Sequence, residues 1–391
     1  MANIAILGFG NIGSGTLEVL RASAQGVARR AGEPVEVKYI CDVRDFSSHP
    51  DAKLFVKDIA PVLADESVSV VVETIGGTRF AYPMVKAALE AGKSVATSNK
   101  ELVATHGAEL LAIAREKKCA FLFEASVGGG MPLIKPVSEC LAVNRIEKLY
   151  GIVNGTTNFM LTKMSGGMDF DESLREAQRL GYAETIDPSA DVDGIDAQRK
   201  TAILASMLTG RHIHPEDVPT RGIRDVSVRD IELAESLGCT VRLIAWVDND
   251  DAFACGVEPC LVDNANRIAG VEDVYNGVLI QCDMLEDVMF YGRGAGKLPT
   301  ASSVVSDVAD AVRYADSMND TLFWDEAPAK GSPYEDARVH EYYVRTAQGA
   351  ESVPGVTRVL GTQDGETAVL AQCTAAEVSA CGARFWMKLV R

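Results

Sequence analysis

The stretch NIAILGFGNIGSGTLEVL at residues 3–20 decides the fold of this chain. A short apolar run ends at Gly8, and a helical pattern follows from Ser14. Between them, Gly8, Gly10 and Gly13 form a G-x-G-x-x-G motif. The first glycine permits a tight turn, the second lets the backbone approach a pyrophosphate, and the third lets the helix pack closely on the strand. This context predicts a dinucleotide-binding loop, and a βα turn without a ligand is the alternative.

Strand-like and helical runs alternate outward from this loop to about residue 125. The strand-like runs are VEVKYICDV (35–43), VSVVVET (68–74), KSVATSN (93–99) and CAFLFEA (119–125), and the helical patterns cover 14–31, 56–64, 81–91 and 101–117. Strands that alternate with helices predict a parallel, doubly wound sheet. We therefore predict an α/β protein with an N-terminal Rossmann domain at residues 1–135.

The alternation changes after residue 135. Helical patterns at 157–164, 171–181 and 193–209 are followed by strand-like runs at 241–247, 253–262 and 278–282. This order predicts an α+β domain for substrate binding, catalysis and dimerisation over 136–320. A segment rich in Pro, Gly and charge at 325–337 is typical of a linker. The remaining residues, 338–391, predict a small βαβ-type appendage.

Composition restricts the class of partner. The chain has 391 residues, is 47% hydrophobic and carries a formal net charge of -17. That charge disfavours nucleic acid and anionic lipid as partners, because both are bound through clustered Lys and Arg. The start of the chain lacks the features of a signal peptide, and no apolar run reaches the roughly 18 residues of a membrane span. We expect a cytoplasmic protein with a small-molecule ligand.

The end of the second predicted strand leaves the cofactor open. Asp42 would accept hydrogen bonds from a ribose diol and so favours NAD, whereas Arg44 would meet a 2′-phosphate and so favours NADP. A solvated strand end with neither role is a third possibility.

Six further blocks occur in a specific order. They are VVVETIGG (70–77), GKSVATSNKELVA (92–104), FEASVGGGMPLIKP (123–136), GIVNGTTNFML (151–161), GYAETIDPSADVDGIDAQRK (181–200) and FYGRGAGKLPTASSVVSD (290–307). Over residues 1–317 the chain resembles homoserine dehydrogenase in its short form, without an aspartokinase segment. The resemblance implies NADP- or NAD-dependent interconversion of L-aspartate 4-semialdehyde and L-homoserine in threonine, methionine and isoleucine biosynthesis. It also implies a homodimer or homotetramer.

The resemblance assigns catalytic and substrate roles. It makes Lys200 the proton donor to the aldehyde oxygen, places Lys100 against both cofactor and substrate, and lets Asp196 steer Lys200. Glu184 would hold the substrate ammonium group, which suits a carboxylate, and Asp191 would be a further substrate-side acid. The spacing of Asp196 and Lys200 alone is typical of a surface ion pair on a helix. This chain has one residue more between Glu184 and Asp191 than the family pattern usually has.

The predicted cofactor residues are Gly8, Phe9, Gly10, Asn11, Ile12, Gly13, Arg44, Lys100, Gly294 and Gly296. The last two belong to a glycine cluster that opens a helix, and a helix start suits an anion. The resemblance also implies a sodium site. The sodium ligands are Glu124, Val127, Gly129 and Met131, largely through main-chain oxygens, because a run of glycines lets carbonyls converge on a hard cation. A turn that only makes room for substrate is the alternative for that loop.

Two features remain open in the sequence. NGTTN at 154–158 predicts a plain helix N-cap beside the substrate region. Residues 338–391 resemble an ACT fold without its first helix, with a regulatory role or a purely structural one.

The sequence leaves two other functions open: another NAD(P)-dependent dehydrogenase of a small semialdehyde or hydroxy acid, and a non-catalytic NAD(P) sensor. The presence of Lys100 and Lys200 disfavours the sensor.

Overall fold

A computed structural model describes residues 1–250, 252–314, 317, 322–326 and 334–391. These residues form two compact units, each built from several stretches of chain. The first unit comprises 1–144, 202–214 and the described part of 292–330, and the second comprises 145–201, 215–291 and the described part of 331–391. The consecutive segments 1–135, 136–320 and 338–391 stay a prediction of domain organisation. Part of the predicted linker, 327–333, lies outside the described residues.

Fifteen strands and twelve α-helices are present in the described ranges. The strands are β1 (Ala2–Leu7), β2 (Val35–Cys41), β3 (Phe55–Val56), β4 (Val68–Glu73), β5 (Ser94–Thr97), β6 (Phe121–Leu122), β7 (Ile146–Ile152), β8 (Cys239–Asp248), β9 (Ala254–Asp263), β10 (Tyr275–Cys282), β11 (Glu286–Arg293), β12 (His340–Thr346), β13 (Val356–Gln363), β14 (Glu366–Cys373) and β15 (Phe385–Val390). The helices are α1 (Asn11–Ala22), α2 (Ala24–Ala31), α3 (Ala60–Ala64), α4 (Ala81–Glu90), α5 (Lys100–Lys117), α6 (Gly155–Ser165), α7 (Phe170–Arg179), α8 (Ser189–Val192), α9 (Ile195–Thr209), α10 (Val228–Ser236), α11 (Lys297–Tyr314) and α12 (Ala375–Ala380).

The first unit contains the predicted parallel sheet. Its strand order is β3-β2-β1-β4-β5-β6, and every strand pairs with its neighbours in parallel. Strand β4 is buried at every position except Ser69, as expected for a strand covered on both faces. The order reverses between β1 and β4, which is where doubly wound sheets bind ligands. The Rossmann prediction is confirmed.

Two differences in this unit concern helices. The helix predicted over 14–31 is interrupted at Ser23, so α1 and α2 are separate. Helix α11 belongs to the first unit, although it lies far along the chain. A Cβ on Gly15 would come within 2.9 Å of the Lys297 side chain, so α1 and α11 pack closely through a small residue.

The second unit contains a nine-stranded sheet in the order β11-β10-β7-β8-β9-β15-β12-β14-β13. Strand β15 pairs in parallel with β9 and antiparallel with β12. The predicted strands of 338–391 therefore continue the sheet of this unit, while their likeness to an ACT fold stays a prediction. One buried cluster of this sheet contains Ile244, Trp246, Val262 and Val390. Residues 338–391, the tail of the chain, therefore contribute to the core.

Five elements of the second unit were not predicted from the sequence. They are β7, α8, α10, β11 and β13. The β13 strand is largely exposed and β7 carries Glu147 and Lys148 among its apolar residues, so neither has a strong apolar pattern. No helix in the described ranges has the length and apolar character needed to cross a bilayer.

Candidate active site

The glycine loop follows β1 and has the geometry that a dinucleotide needs. Gly8 has φ +86°, which favours glycine. A Cβ on Gly13 would lie 2.0 Å from the Gly8 carbonyl oxygen, so only glycine permits this close approach of helix and strand. By contrast, a Cβ on Gly10 would have no neighbour within 4 Å. The space beside Gly10 fits a pyrophosphate at the start of α1, where backbone N–H groups point outward.

The remaining loop residues also hold the loop in place. Asn11 and Ile12 form the first turn of α1. The Phe9 ring contacts the edges or faces of three rings in the segment after β2, with centroid distances of 5.5 Å to Phe46, 5.3 Å to His49 and 5.1 Å to Phe55. This aromatic cluster fixes Phe9, so that its backbone N–H faces the end of β2.

Asp42 and Arg44 are paired at the end of β2. The Asp42 carboxylate accepts from the Phe9 N–H at 2.7 Å and from Arg44 through its N–H, Nε and Nη2 at 2.9, 3.0 and 2.7 Å. The Arg44 guanidinium holds the pKa of Asp42 well below its usual range, and the loop N–H lowers it further. Asp42 is buried, whereas the Arg44 side chain is 58% exposed. Asp42 is therefore not a solvated strand end.

Glu73 lies at the edge of the sheet where doubly wound sheets bind ligands, and the sequence did not single it out. It ends β4 and is fully buried. Its carboxylate accepts from the N–H groups of Ile75 and Gly76 at 2.7 and 3.1 Å and from the Thr97 hydroxyl at 2.5 Å. Burial raises the pKa of this carboxyl group. Glu73 thus ties the end of β4 to the end of β5, and its only signal in the sequence is an acid at the end of an apolar strand.

Lys100 is the first residue of α5, so the helix begins one residue before the predicted range 101–117. Asn99 caps this helix by accepting from the Leu102 N–H at 3.1 Å, and its Nδ2 donates to the Gly77 carbonyl oxygen at 2.7 Å. The start of α5 is therefore fixed to the loop after β4. Lys100 is partly exposed at this point.

The loop predicted to hold sodium is organised by the side chain of Glu124. Its carboxylate accepts three backbone N–H groups, from Leu133 at 2.5 Å, Ile134 at 2.9 Å and Lys135 at 2.8 Å. The Glu124 N–H in turn donates to Asp307 at 2.9 Å. The carboxylate is thus occupied by the protein, so cation binding by Glu124 would fall to its main-chain oxygen.

The other predicted ligands leave main-chain oxygens available. Within the described ranges, no hydrogen bond ends on the carbonyl oxygens of Val127, Gly129 or Met131. The same ranges contain no cluster of three or more His, Cys, Asp or Glu suited to a metal. These residues fit a cation held by carbonyls and do not fit one held by carboxylates.

The two glycine clusters singled out in the sequence meet in the first unit. A Cβ on Gly129 would lie 2.1 Å from the Gly294 carbonyl oxygen, and the Gly130 N–H donates to the Arg293 carbonyl at 3.0 Å. Gly296 has φ +123° directly before α11. This close backbone contact explains the glycines without any ligand, so contact of Gly294 and Gly296 with cofactor stays a prediction.

The second unit holds a buried lysine and carboxylate cluster. Lys200 Nζ lies 2.8 Å from Asp196 Oδ2 and donates to the Val153 carbonyl oxygen at 2.7 Å. Both side chains are at most about a tenth exposed. The spacing of these residues suggested a surface ion pair, but the pair is buried. Burial strengthens its electrostatics and suits proton transfer.

Asn154 joins this cluster, which corrects the prediction of a plain N-cap. It does cap α6, because its Oδ1 accepts from the Thr157 N–H at 2.8 Å. Its Nδ2 also donates to Asp191 Oδ1 at 2.7 Å and to Asp196 Oδ2 at 2.9 Å. The structure therefore brings Asp191, Asp196 and Lys200 together around one amide.

Glu184 lies apart from this hydrogen-bonded group. Its side chain is exposed, and its main-chain oxygen accepts from Gln178 Nε2 at 2.9 Å. It follows α7, in the segment between that helix and α8. A role for Glu184 in holding the substrate stays a prediction.

A Rossmann sheet with a dinucleotide loop, together with a buried lysine and carboxylate cluster, defines an NAD(P)-dependent oxidoreductase. Residues 8–124 match the family model described as "Homoserine dehydrogenase, NAD binding domain", and residues 132–309 match that of homoserine dehydrogenase. The chain belongs to the homoserine dehydrogenase family.

Known relatives cover most of the chain. A homoserine dehydrogenase of Synechocystis sp. is 41% identical over 92% of this chain and 85% of its own, and one of Pseudomonas aeruginosa is 42% identical over 79% and 72%. The solved homoserine dehydrogenase of Thiobacillus denitrificans covers 100% of this chain and 98% of its own with TM-score 0.89 and 33% identity. A hyperthermophilic archaeal homoserine dehydrogenase solved with NADPH has TM-score 0.68, 31% identity and coverage of 79% and 97%. These relatives decide among the three functions left open by the sequence.

Proposed function

We propose that this chain catalyses the reversible reduction of L-aspartate 4-semialdehyde to L-homoserine, in the branch that leads to threonine, methionine and isoleucine. The observation that carries the proposed residue roles is the buried pair of Lys200 and Asp196, with nitrogen and oxygen 2.8 Å apart. When bound, NAD(P)H supplies the hydride for the aldehyde carbon.

Lys200 supplies the proton in this proposal. Its ammonium group donates a proton to the aldehyde oxygen as that oxygen gains negative charge, and the neutral amine takes the proton back in the oxidation direction. Asp196 orients Nζ and balances its charge, while the Val153 carbonyl fixes a second hydrogen. Lys100 is proposed to contact both cofactor and substrate, Asp191 to face the substrate and Glu184 to bind its ammonium group.

The cofactor is proposed to lie on the loop Gly8–Gly13, with Arg44 beside its ribose. The open space at Gly10 and the pairing of Asp42 with Arg44 support this position. Gly294 and Gly296 are proposed as further contacts. NADP and NAD are both compatible with the pair, since one partner suits a phosphate and the other a diol.

A sodium ion is proposed at the main-chain oxygens of Glu124, Val127, Gly129 and Met131. The lack of hydrogen bonds to the last three, within the described ranges, supports this site. Replacing sodium chloride by choline chloride at constant ionic strength should lower both activity and melting temperature. Equal activity and equal melting temperature in the two salts would contradict the proposed site.

We also propose that the chain forms a cytoplasmic homodimer or homotetramer. Light scattering of the purified chain measures the size of this assembly.

The experiment that tests the function is homoserine-dependent reduction of NAD and NADP by the wild type, Lys200→Ala and a control, Lys163→Ala. Lys163 is a surface lysine paired with Asp273. Loss of a general acid and base should lower kcat by about 100-fold to 10,000-fold in Lys200→Ala. The control should keep its activity. Folded wild-type protein that reduces neither cofactor with homoserine would overturn the proposal.

A further inference from the structure

We propose that Asn154 is a positioning residue of this site, whose side-chain amide holds Asp191, Asp196 and Lys200 in their working arrangement. The inference rests on the function proposed above and deepens it. It assigns no contact with substrate to Asn154, which acts through its neighbours. The sequence around Asn154 predicts only its role as the N-cap of α6.

The Asn154 amide uses every hydrogen-bonding position it has. An asparagine side chain offers two N–H donors and two acceptor positions on oxygen. Here Nδ2 donates to Asp191 at 2.7 Å and to Asp196 at 2.9 Å, while Oδ1 accepts from the Thr157 N–H at 2.8 Å and its hydroxyl at 2.9 Å. This pattern fixes the orientation of the amide, because the reversed amide would turn an oxygen toward two carboxylates.

The two donated hydrogens balance charge at the cluster. Asp191 and Asp196 both lie within hydrogen-bond distance of one nitrogen, and carboxylates held this close together repel each other. Each N–H stabilises one of them. Without the amide, Asp196 faces the Lys200 ammonium with one donor fewer, so the ammonium gains a stronger partner. We therefore expect Lys200 to keep its proton to higher pH.

The amide also connects three elements. Asp196 Oδ2 accepts from both Asn154 Nδ2 and Lys200 Nζ, and Lys200 donates as well to the carbonyl of Val153, the residue before Asn154. Asn154 lies between β7 and α6, Asp191 belongs to α8, and the other two residues belong to α9. A shift of this amide would therefore move the lysine and both acids relative to each other.

The decisive pair of variants is Asn154→Ser and Asp169→Ser. Serine at position 154 keeps an oxygen that can cap α6 but has no amide to bridge the acids. Asp169 is the exposed cap of α7 in the same unit and contacts no residue of the cluster, so it is the matched control. Both variants exchange one capping side chain for another, and Asn154→Ser should lower the melting temperature more, because it also removes two buried hydrogen bonds.

We expect Asn154→Ser to lower kcat of homoserine oxidation by about 10-fold to 100-fold, since small misplacements of reacting groups cost rates of this order. The pH at which the rate is half-maximal should rise by about one, because Lys200 must lose its proton to act as the base. KM for homoserine should change less than kcat. Asp169→Ser should match the wild type, and an Asn154→Ser variant that does the same in rate and pH profile would overturn the proposal.

A second measurement does not depend on substrate. Competitive acetylation of lysines with acetic anhydride, read by peptide mass spectrometry, reports how readily Lys200 reacts as its free amine at each pH. Relative to the wild type, labelling of Lys200 should move to higher pH in Asn154→Ser and further in Asn154→Asp, which adds a third carboxylate. Unchanged labelling in both would overturn the proposal. If the wild type does not oxidise homoserine, the proposed function fails while this labelling still tests Asn154.

Discussion

Asp42 and Arg44 form a closed pair in which one carboxylate receives three hydrogens from the same arginine, one of them from its backbone. The carboxylate also accepts from the glycine loop through the Phe9 N–H. The two residues therefore act together, and neither can be interpreted by itself as a signal for NAD or for NADP. Because the Arg44 side chain is largely exposed, it keeps N–H groups for a phosphate.

Replacing Arg44 by Ala should reduce the use of NADP more than the use of NAD. A charge-assisted bond to a phosphate contributes about 1.5 to 3 kcal/mol, so KM for NADP should rise by about 10-fold to 100-fold while KM for NAD changes little. Steady-state rates with both cofactors measure the ratio. Arg29→Ala, an exposed change on α2, is the control. An unchanged ratio in Arg44→Ala would show that Arg44 does not meet the 2′-phosphate.

Asp42→Asn should lower the free energy of unfolding at neutral pH. The loss should be smaller in acid. The pKa of Asp42 is lowered in the fold, chiefly by Arg44, so its ionised form contributes stability above its unfolded pKa of about 4. That contribution disappears as pH falls through the lower pKa of the folded state. We expect a cost of about 1 to 2 kcal/mol at pH 7 that shrinks below pH 4, measured by urea unfolding. Glu36→Gln, at an exposed position of β2, is the control. A cost that grows in acid would contradict this assignment.

Features that depend on a short stretch of sequence were predicted best. The glycine loop and the alternating strands and helices predict the parallel sheet, because the glycine motif is contained in residues 8–13 and each apolar pattern in a single element. Glu73 and Asn154 were not assigned their roles because their partners lie on other elements: Thr97 on β5 for the first, and Asp191 and Asp196 for the second. No spacing rule links such residues.

The tail illustrates the same limit at longer range. Its strands were predicted from their apolar alternation, but the neighbour of β15 was not. Lys388 pairs with Cys260 on β9, more than a hundred residues earlier. Alternation defines the faces of a strand and leaves its partner open. For that reason the sequence suggested an appendage, whereas the strands continue the sheet of the second unit.

Glu73→Ala should destabilise the first unit, and Glu73→Gln should do so much less. Alanine leaves the buried N–H groups of Ile75 and Gly76 without their acceptor, at a cost of about 2 to 4 kcal/mol, whereas the glutamine oxygen can still accept. Urea unfolding measures the loss, and KM for the cofactor should rise with it, because these residues follow β4 at the ligand edge of the sheet. Glu66→Ala, an exposed change just before β4, is the control. Equal stability of the Ala and Gln variants would contradict the role of the acceptor.

The neighbouring tyrosines of β12 test whether the tail is part of the core of the second unit. Both are buried, but the Tyr343 hydroxyl donates to Asp230 at 2.5 Å, whereas the Tyr342 hydroxyl makes no hydrogen bond with any described residue. Asp230 is itself fully buried at the start of α10 and also accepts from Arg345 Nε at 3.1 Å.

Tyr343→Phe should therefore cost about 1 to 2 kcal/mol in the free energy of unfolding, because a buried carboxylate loses a donor. Tyr342→Phe removes the same atom from the preceding residue and should cost less than about 0.5 kcal/mol, because it breaks no hydrogen bond to a described residue. The measurement is urea unfolding of both variants at pH 7, followed by tryptophan fluorescence, to which Trp246 and Trp386 of the second unit contribute. If both changes cost the same, the bond between Tyr343 and Asp230 does not help to hold β12 against α10.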